Sequence, residues 1–329
     1  MIHPSETRRD PSRADGSNHS GGPTRRTVML GGAALTLTLA APLGATRPGL
    51  AQSADVEGTA LAKVGSREVV AFLDGRISLP AGVFQGASEQ ELTELIGGQA
   101  VEGFINAYVV RGPDNLVLVD AGGGSLVGPT AGNLRERMAE AGIDSSMIDV
   151  VLMTHLHPDH VGGLLGDGDL VAGDAQIVLH EREREHWMSD ERMEAAGERG
   201  AGAFQAARAT LEMFGERVVP IQGDGDVPGG MRSMELPGHT PGHTGFVVAD
   251  GDESMLIWGD IVHAPPIQFA RPEVTIGFDV DPDQARETRA RVYDMVATDA
   301  IPVAGMHLAF PGIGRVVASG DAYAFEPLG

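Results

Sequence analysis

Short apolar runs bounded by glycine, proline and polar residues recur after position 65 and predict β-strands. The predicted strands are 68–73, 107–110, 116–119, 148–153, 176–179, 234–236, 245–248, 255–258 and 301–304. Apolar residues at helical spacing predict helices at 133–141, 181–218 and 284–297. The pair Asp74-Gly75 predicts a turn after the first strand. Strands and helices alternate, with tight turns between some strands, so the predicted fold class is α/β with mixed sheets.

No linker divides residues 52–329, so we predict one domain over this range. The segment at about 181–218 is helical in pattern and highly charged, yet it carries Trp187, Phe204 and Phe214. We expect it to be a helical cap or insertion whose aromatic side chains face the functional site.

Residues 1–51 differ from the rest of the chain. Arg25-Arg26 precedes a mildly apolar run that extends to about Ala41, and small residues lead to Ala51. This pattern is typical of a twin-arginine export signal cleaved near Ala51. We therefore expect a periplasmic or secreted protein whose precursor binds the twin-arginine export machinery. The run is short and contains Gly31-Gly32, which disfavours a membrane span.

The amino-acid composition excludes several kinds of functional site and partner. The 329-residue chain has no cysteine, which excludes thiolate metal sites, cysteine nucleophiles and disulfides. Its formal net charge is −22, so its surface repels phosphate backbones and nucleic acid is excluded as a partner. An acidic surface suits a small neutral substrate instead.

The stretch with the most potential metal ligands is Thr154–His160, T-H-L-H-P-D-H, which directly follows a predicted strand. Imidazoles and a carboxylate packed this closely repel when charged and lose solvation when buried, unless a metal ion holds them together. Further metal-type side chains follow later strands, in the stretch Pro237–His243, at Asp260 and at His307. Such nitrogen and oxygen ligands suit zinc, manganese, iron or cobalt.

In order and rough spacing, these motifs resemble the metallo-β-lactamase fold superfamily, in its dinuclear hydrolase branch. The segments 127–130, 259–261, 267–269 and 309–314 are most similar to the methyl parathion hydrolase group. The resemblance covers most of residues 65–329. It implies an αββα sandwich of two mixed β-sheets flanked by helices.

The resemblance also implies a ligand set. One divalent ion would be bound by His155, His157 and His243, the second by Asp159, His160 and His307, with Asp260 bridging them. Zinc is the favoured metal, with manganese, cobalt and iron as alternatives. A hydroxide bridging the two ions would be the nucleophile. We expect His239, in the same stretch as His243, to form the turn or to support a ligand.

By the same resemblance, Trp187, Phe204 and Phe269 would line a leaving-group pocket. Val127 stands where that group carries another aromatic residue, which predicts a differently shaped pocket. His263 follows Asp260 by three positions, where related lactonases often have tyrosine. We predict that His263 orients the substrate or protonates the leaving group; the alternative is a pocket wall. Asp159, Asp260 and His263 are thus the predicted catalytic residues.

The predicted function is hydrolysis of neutral organophosphate triesters, lactones or esters by an exported enzyme. One alternative is an acyl-homoserine lactonase that acts in quorum quenching. A glutathione thioesterase shares the ligand set, but it would need a basic patch, and this chain has a single lysine, Lys63. A metal-binding module without catalysis is the alternative outside enzymes. The sequence leaves the oligomeric state open, with a homodimer as one option.

Overall fold

The computed structural model describes residues 56–113, 115–166 and 170–328. The first of its two large sheets has seven strands in the order β1-β2-β4-β5-β6-β7-β8. These are β1 Thr59–Val64, β2 Arg67–Pro80, β4 Ala100–Arg111, β5 Leu116–Val119, β6 Val150–Leu152, β7 Gln176–His180 and β8 Val218–Ile221. Strands β5 to β8 are parallel to one another, and β1, β2, β4 and β5 form antiparallel pairs.

The second sheet also has seven strands, in the order β16-β15-β14-β12-β11-β10-β9. They are β9 Gly225–Val227, β10 Met231–Glu235, β11 Thr244–Asp250, β12 Glu253–Ile257, β14 Val303–Ala304, β15 Ile313–Ser319 and β16 Ala322–Pro327. Among its described strand pairs, β12–β14 is parallel and the others are antiparallel. The short strands β3 Phe84–Gln85 and β13 Thr275–Ile276 pair separately. The mixed sheets match the predicted fold class.

Apolar side chains fill the space between the two sheets. Tyr108 and Val119 from the first sheet share one buried cluster with Phe246 and Ile257 from the second. Burying this shared layer stabilises the fold, because each large apolar side chain contributes about 1.5–3 kcal/mol when it is removed from water. The sandwich is therefore held together by the side chains that face inward at alternate positions along the strands of both sheets.

Helices cover the outer face of each sheet. They are α1 Glu89–Ile96, α2 Leu134–Glu140, α3 Pro158–Val161, α4 Glu181–Trp187, α5 Asp190–Phe214, α6 Pro265–Gln268 and α7 Pro282–Thr298. Met138 of α2 and Leu211 of α5 pack on the first sheet, while Val292 and Tyr293 of α7 pack on the second. This is the αββα sandwich that the motifs predicted. No helix in the described ranges is long and apolar enough to cross a membrane.

The predicted turn at Asp74-Gly75 is wrong. Strand β2 continues through it, and the register with β4 shifts between Leu73 and Gly75 as a β-bulge. The bulge turns the Asp74 carboxylate inward, where it accepts hydrogen bonds from the backbone N–H groups of Gly123, Gly132 and Leu134. Asp74 is fully buried. The three backbone hydrogen bonds compensate its carboxylate for the water that it would have contacted in an exposed turn.

The segment predicted as a cap consists of α4 and α5, and a short 3-10 turn then leads into β8. Trp187, Phe204 and Phe214 belong to the buried cluster on the outer face of the first sheet. Helix α5 is interrupted at Gly197, whose φ of 62° and ψ of −166° are non-helical. The predicted export signal, residues 1–51, lies outside the described residues.

Candidate metal centre

The Thr154–His160 segment supplies four side chains because its backbone changes from extended to helical. Strand β6 ends at Leu152, and His157 remains extended. In extended backbone residues two apart share a side, so His155 and His157 point the same way while Leu156 is buried in the core. Pro158 then begins α3. That single turn brings Asp159 and His160 to the same place.

The other side chains also follow strands. His239 lies in the stretch between β10 and β11, Asp260 follows β12, and His307 follows β14. The glycine before Asp260 has a structural reason. Gly259 adopts φ of 62°, and a Cβ there would lie 2.4 Å from His243 Nε2. A glycine is therefore required for the chain to turn Asp260 into the centre.

These residues converge on one buried centre. Their potential ligand atoms form four groups, each with all atoms within 4.8 Å of one another. The groups are His155–His157–His239, His155–His160–Asp260, Asp159–His160–His307 and His239–Asp260–His263. Asp260 Oδ2 is the common point, 3.0 Å from His307 Nε2, 3.3 Å from His160 Nε2 and 3.4 Å from His239 Nε2.

Hydrogen bonds at the outer nitrogens fix which inner nitrogens carry lone pairs. His160 Nδ1 donates to Asp120 Oδ2 at 2.7 Å, and His307 Nδ1 donates to the Phe104 carbonyl at 2.7 Å. His239 Nδ1 donates to Asp279 Oδ1 at 2.9 Å. When these three rings are neutral, their Nε2 atoms are therefore acceptors, and they face the Asp260 carboxylate.

The tautomer of His155 is likewise fixed by a hydrogen bond at its outer nitrogen, in this case to the Thr154 hydroxyl. Thr154 Oγ1 donates its one proton to Asp120 Oδ2 at 2.7 Å, so at 3.0 Å it accepts from His155 Nδ1. His155 Nε2 is thus left with a lone pair, 3.6 Å from Asp260 Oδ2. Asp120 anchors both residues and holds a φ of 55°, unusual outside glycine.

One predicted ligand, His243, does not belong to these groups. His243 Nδ1 donates to the Leu236 carbonyl at 2.8 Å, and His243 Nε2 accepts from the Asp260 backbone N–H at 2.9 Å. Both nitrogens of His243 are thus satisfied by backbone. His239 is the histidine of this stretch that joins a potential ligand group, with Nε2 2.9 Å from His157 Nδ1. Spacing alone could not distinguish the two, because both histidines are buried in one stretch.

A cation fits this arrangement. Buried acceptors facing one another without donors are strongly unfavourable. Within the described residues, His160 Nε2 and Asp260 Oδ1 are buried without a hydrogen-bond partner. The donor set, several neutral imidazoles with two carboxylates, is the one that zinc and similar divalent ions prefer.

The carboxylates and histidines perturb one another. Burial would raise the pKa of Asp260, but His160 and His307 outweigh it and hold the pKa well below its usual range. Burial opposes a charged His160, yet the neighbouring Asp260 and Asp159 raise the pKa of that imidazole well above its usual value. Burial and the charge of His160 lower the pKa of His155. The neighbouring imidazoles therefore favour the ionised carboxylate of Asp260.

His263 lies against this centre without a fixed partner. It is 3% exposed, its ring stacks on His307 with centroids 5.1 Å apart, and its Nε2 is 3.2 Å from Asp260 Oδ2. Neither ring nitrogen is aligned for a hydrogen bond with any described residue. Gln268 Oε1 accepts from the His263 backbone N–H at 2.7 Å and fixes its backbone. Burial lowers the pKa of His263 to about 4.

The aromatic side chains that were predicted to line one pocket lie in two different parts of the structure. Trp187 meets the His157 ring edge-on at 5.3 Å, and Phe204 packs behind Trp187 at 4.8 Å. Phe269 belongs to the separate core around α7, stacked on Tyr293 at 5.2 Å. The helical pattern of the sequence could not show which side of the sandwich each ring would reach.

Val127, the fourth predicted pocket residue, lines a shallow surface groove of about 660 Å³. The other walls of this groove come from β2, β4 and Thr130. Arg76 and Glu102 form an exposed ion pair there at 2.7 Å, and Arg76 also covers the Phe104 ring. The groove is thus partly charged rather than aromatic.

Two supporting residues escaped the sequence analysis. Asp120 directly follows β5, and an acidic residue at the end of a predicted strand, ahead of a glycine-rich loop, was the available signal. Asp279 lies within the apolar stretch that follows β13, and its Oδ2 also accepts from the Ile276 backbone N–H at 3.0 Å. No spacing rule connects Asp279 with His239, because only the fold brings them together.

Comparison with known proteins agrees with this geometry. The sequence profile of the Metallo-beta-lactamase superfamily matches residues 100–307. The crystal structure of hydrolase AbOPH in the beta lactamase superfamily is similar, with a TM-score of 0.77 and 28% identity over 83% of this chain and 98% of that chain. AidC, a dizinc quorum-quenching lactonase in complex with the product N-hexanoyl-L-homoserine, has a similar fold. Its TM-score is 0.76, with 23% identity over 84% of this chain and 99% of that chain.

A probable metal-dependent hydrolase from Staphylococcus aureus also shares the fold, with a TM-score of 0.65 and 17% identity over 80% of this chain and 99% of that chain. No curated protein sequence matches the chain. The profile match spans more than half of the chain and includes every residue of the candidate centre. The chain therefore belongs to the metallo-beta-lactamase superfamily, as its motifs predicted, and is a hydrolase.

Proposed function

We propose that this hydrolase uses two divalent metal ions, with zinc favoured, to cleave neutral esters, lactones or phosphotriesters. The observation that carries the proposal is the set of buried imidazole lone pairs facing Asp260. His155, His157 and His239 would hold one ion, and Asp159, His160 and His307 the other, with Asp260 between them. Bound there, the two ions would supply a Lewis acid and lower the pKa of a water nucleophile.

The surrounding residues hold the ligands in place. Asp120, Asp279 and the Phe104 carbonyl each accept an outer imidazole proton, so the inner nitrogens stay free. Because these partners are part of the fold, the ligand geometry exists before a substrate binds. Such preorganisation is what stabilises charge that develops in the transition state.

His263 is the group we assign to the substrate. Its ring nitrogens are buried, lack hydrogen-bond partners among the described residues and lie beside Asp260. An imidazole N–H there can donate to a substrate oxygen and orient the scissile bond. We expect His263→Ala to lower kcat/KM by about 100-fold on an ester with a poor leaving group. Equal kcat/KM for the variant and the wild type would leave His263 as a pocket wall.

A lactonase is the second candidate within this class, and His263 is the observation that favours it. Related lactonases often have tyrosine, a hydrogen-bond donor, at this position, and an imidazole N–H at His263 would offer the same donor to the carbonyl of a cyclic ester. The net charge of −22 supports a neutral substrate and disfavours an anionic glutathione thioester.

A substrate panel on metal-analysed protein tests the proposal. It would compare an acyl-homoserine lactone, an aryl ester, a paraoxon-type triester and a glutathione thioester, before and after chelation. We expect turnover of at least one of the first three, loss of that turnover on chelation and recovery with zinc. Turnover of the thioester alone would contradict the proposed substrate class. Two bound metals without any turnover would indicate a metal-binding module.

We also propose that the chain is exported by the twin-arginine route and acts in the periplasm or outside the cell. Arg25-Arg26 and the small residues before Ala51 support this. Replacing both arginines by lysine should keep the full-length precursor inside the cell. An exported wild type that retains residues 1–51 would contradict cleavage near Ala51.

A further inference from the structure

Glu183 of α4 is a carboxylate with no exposed surface. Such burial is rare for glutamate unless the charge is compensated. The described residues give it no ion pair, and its compensation comes from hydrogen-bond donors. Burial raises the pKa of Glu183 above its usual value, while the donors act in the opposite direction.

The two carboxylate oxygens of Glu183 serve different parts of the centre. Oε2 accepts from the Leu156 backbone N–H at 3.2 Å and from the Trp187 indole at 2.6 Å. Oε1 accepts from the Gly242 backbone N–H at 3.0 Å. Leu156 separates His155 from His157, and Gly242 lies in the stretch that carries His239. One carboxylate therefore spans the two segments that form the first ligand group.

Close packing reinforces this link. A Cβ at Gly242 would lie 2.5 Å from the Glu183 backbone nitrogen and 3.0 Å from its Cγ. The absence of a side chain at Gly242 is thus what lets the segment reach α4. Trp187, which donates to Glu183, also meets the His157 ring at 5.3 Å. The contacts of Glu183 lead to this ligand group through both segments and through Trp187.

We propose that Glu183 is a positioning residue that sets the distance between the segment 154–160 and the segment 237–243, and so the affinity of the first ligand group for its metal. The inference rests on the proposed two-metal centre. Among the described residues, Glu183 is hydrogen-bonded to none of the potential ligand side chains, so it acts through the backbone of Leu156 and Gly242.

The variant Glu183→Gln tests whether the carboxylate links the two segments, because it removes one of the two acceptor oxygens. An amide keeps one acceptor oxygen and turns an NH₂ group toward the other segment, where it would meet a backbone N–H. Only one of the two segments can stay attached. Loss of a residue that orients metal ligands typically costs 10–100-fold in metal affinity. Glu185→Gln is the matched control, because Glu185 lies on the same helix and is exposed.

The test titrates cobalt(II) into metal-free protein against a competing chelator and records the visible spectrum, well below the unfolding temperature of every variant. We expect Glu183→Gln to bind one of two cobalt ions about 10–100-fold more weakly with an altered spectrum, and Glu185→Gln to match the wild type. Wild-type cobalt affinity and spectrum in Glu183→Gln, with only a lower Tm, would overturn the positioning role. A wild type that binds no cobalt would overturn the proposed centre as well.

If Glu183→Gln does not fold, Gly242→Ala probes the same link. The added methyl group would push the segment 237–243 away from α4. We expect weaker cobalt binding in the same ligand group. A folded Gly242→Ala protein with wild-type cobalt affinity would overturn the inference.

Discussion

The segments 154–160 and 237–243 both bring histidines to the centre, but they do so in different ways. In the first, local backbone geometry directs every metal-type side chain inward, because an extended stretch leads into the single turn of α3. The second segment contains two buried histidines, and the residues around them determine which one faces the centre. Asp279 turns His239 inward, while the Leu236 carbonyl and the Asp260 N–H engage His243. Local pattern thus decides which side chains of the first segment face the centre, whereas long-range contacts decide this in the second.

The largest effect should come from His239→Ala. Removing the ligand from the first group should cost more than the 10–100-fold typical of outer partners, so we expect kcat/KM to fall by more than about 100-fold. Metal analysis should show one ion lost per chain. Two retained ions with near wild-type kcat/KM would show that His239 only supports the site.

Asp120→Asn tests the first segment. The amide offers one acceptor oxygen where the carboxylate now accepts from the Thr154 backbone, the Thr154 hydroxyl and His160 Nδ1. We expect a loss of about 10–100-fold in kcat/KM, with weaker binding at the second ligand group. Unchanged metal affinity measured by chelator competition would mean that the backbone alone orients this segment.

Asp279→Asn makes the same change in the second segment, where only one imidazole is held. We expect a loss near the lower end of the same range, about 10-fold, confined to the first ligand group. Asp283→Asn, at an exposed position of α7, is the control. A larger loss in Asp279→Asn than in Asp120→Asn would contradict the expectation that the number of hydrogen bonds lost to the ligand segment sets the size of the effect.

His243→Phe should have the smallest effect on metal binding. It leaves the Asp260 N–H without its acceptor, which should lower the free energy of unfolding by about 1–3 kcal/mol. Denaturant unfolding of the metal-free protein measures this change. We expect two metals still to bind. Loss of one metal in this variant would restore His243 as a ligand.

The same contrast explains what the sequence could predict. The order of strands and the T-H-L-H-P-D-H segment follow from local patterns, so the sheets, the family and most of the centre were predictable. The choice of His239 over His243 depends on Asp279, 40 residues away. Likewise, Phe269 joined the core of α7 rather than the site, because burial against Tyr293 decided its side of the sandwich. The periodicity of a helix or strand does not show which distant residues its side chains will contact.

The most direct test of this account is a crystal structure of the zinc-loaded protein with anomalous data at the zinc edge. The account predicts two zinc peaks, with His239 Nε2 at bonding distance, about 2.0–2.1 Å, from the ion that His155 and His157 bind. His243 should remain hydrogen-bonded to the Asp260 backbone. A zinc ion bonded to His243 instead of His239, or no zinc beside Asp260, would contradict it.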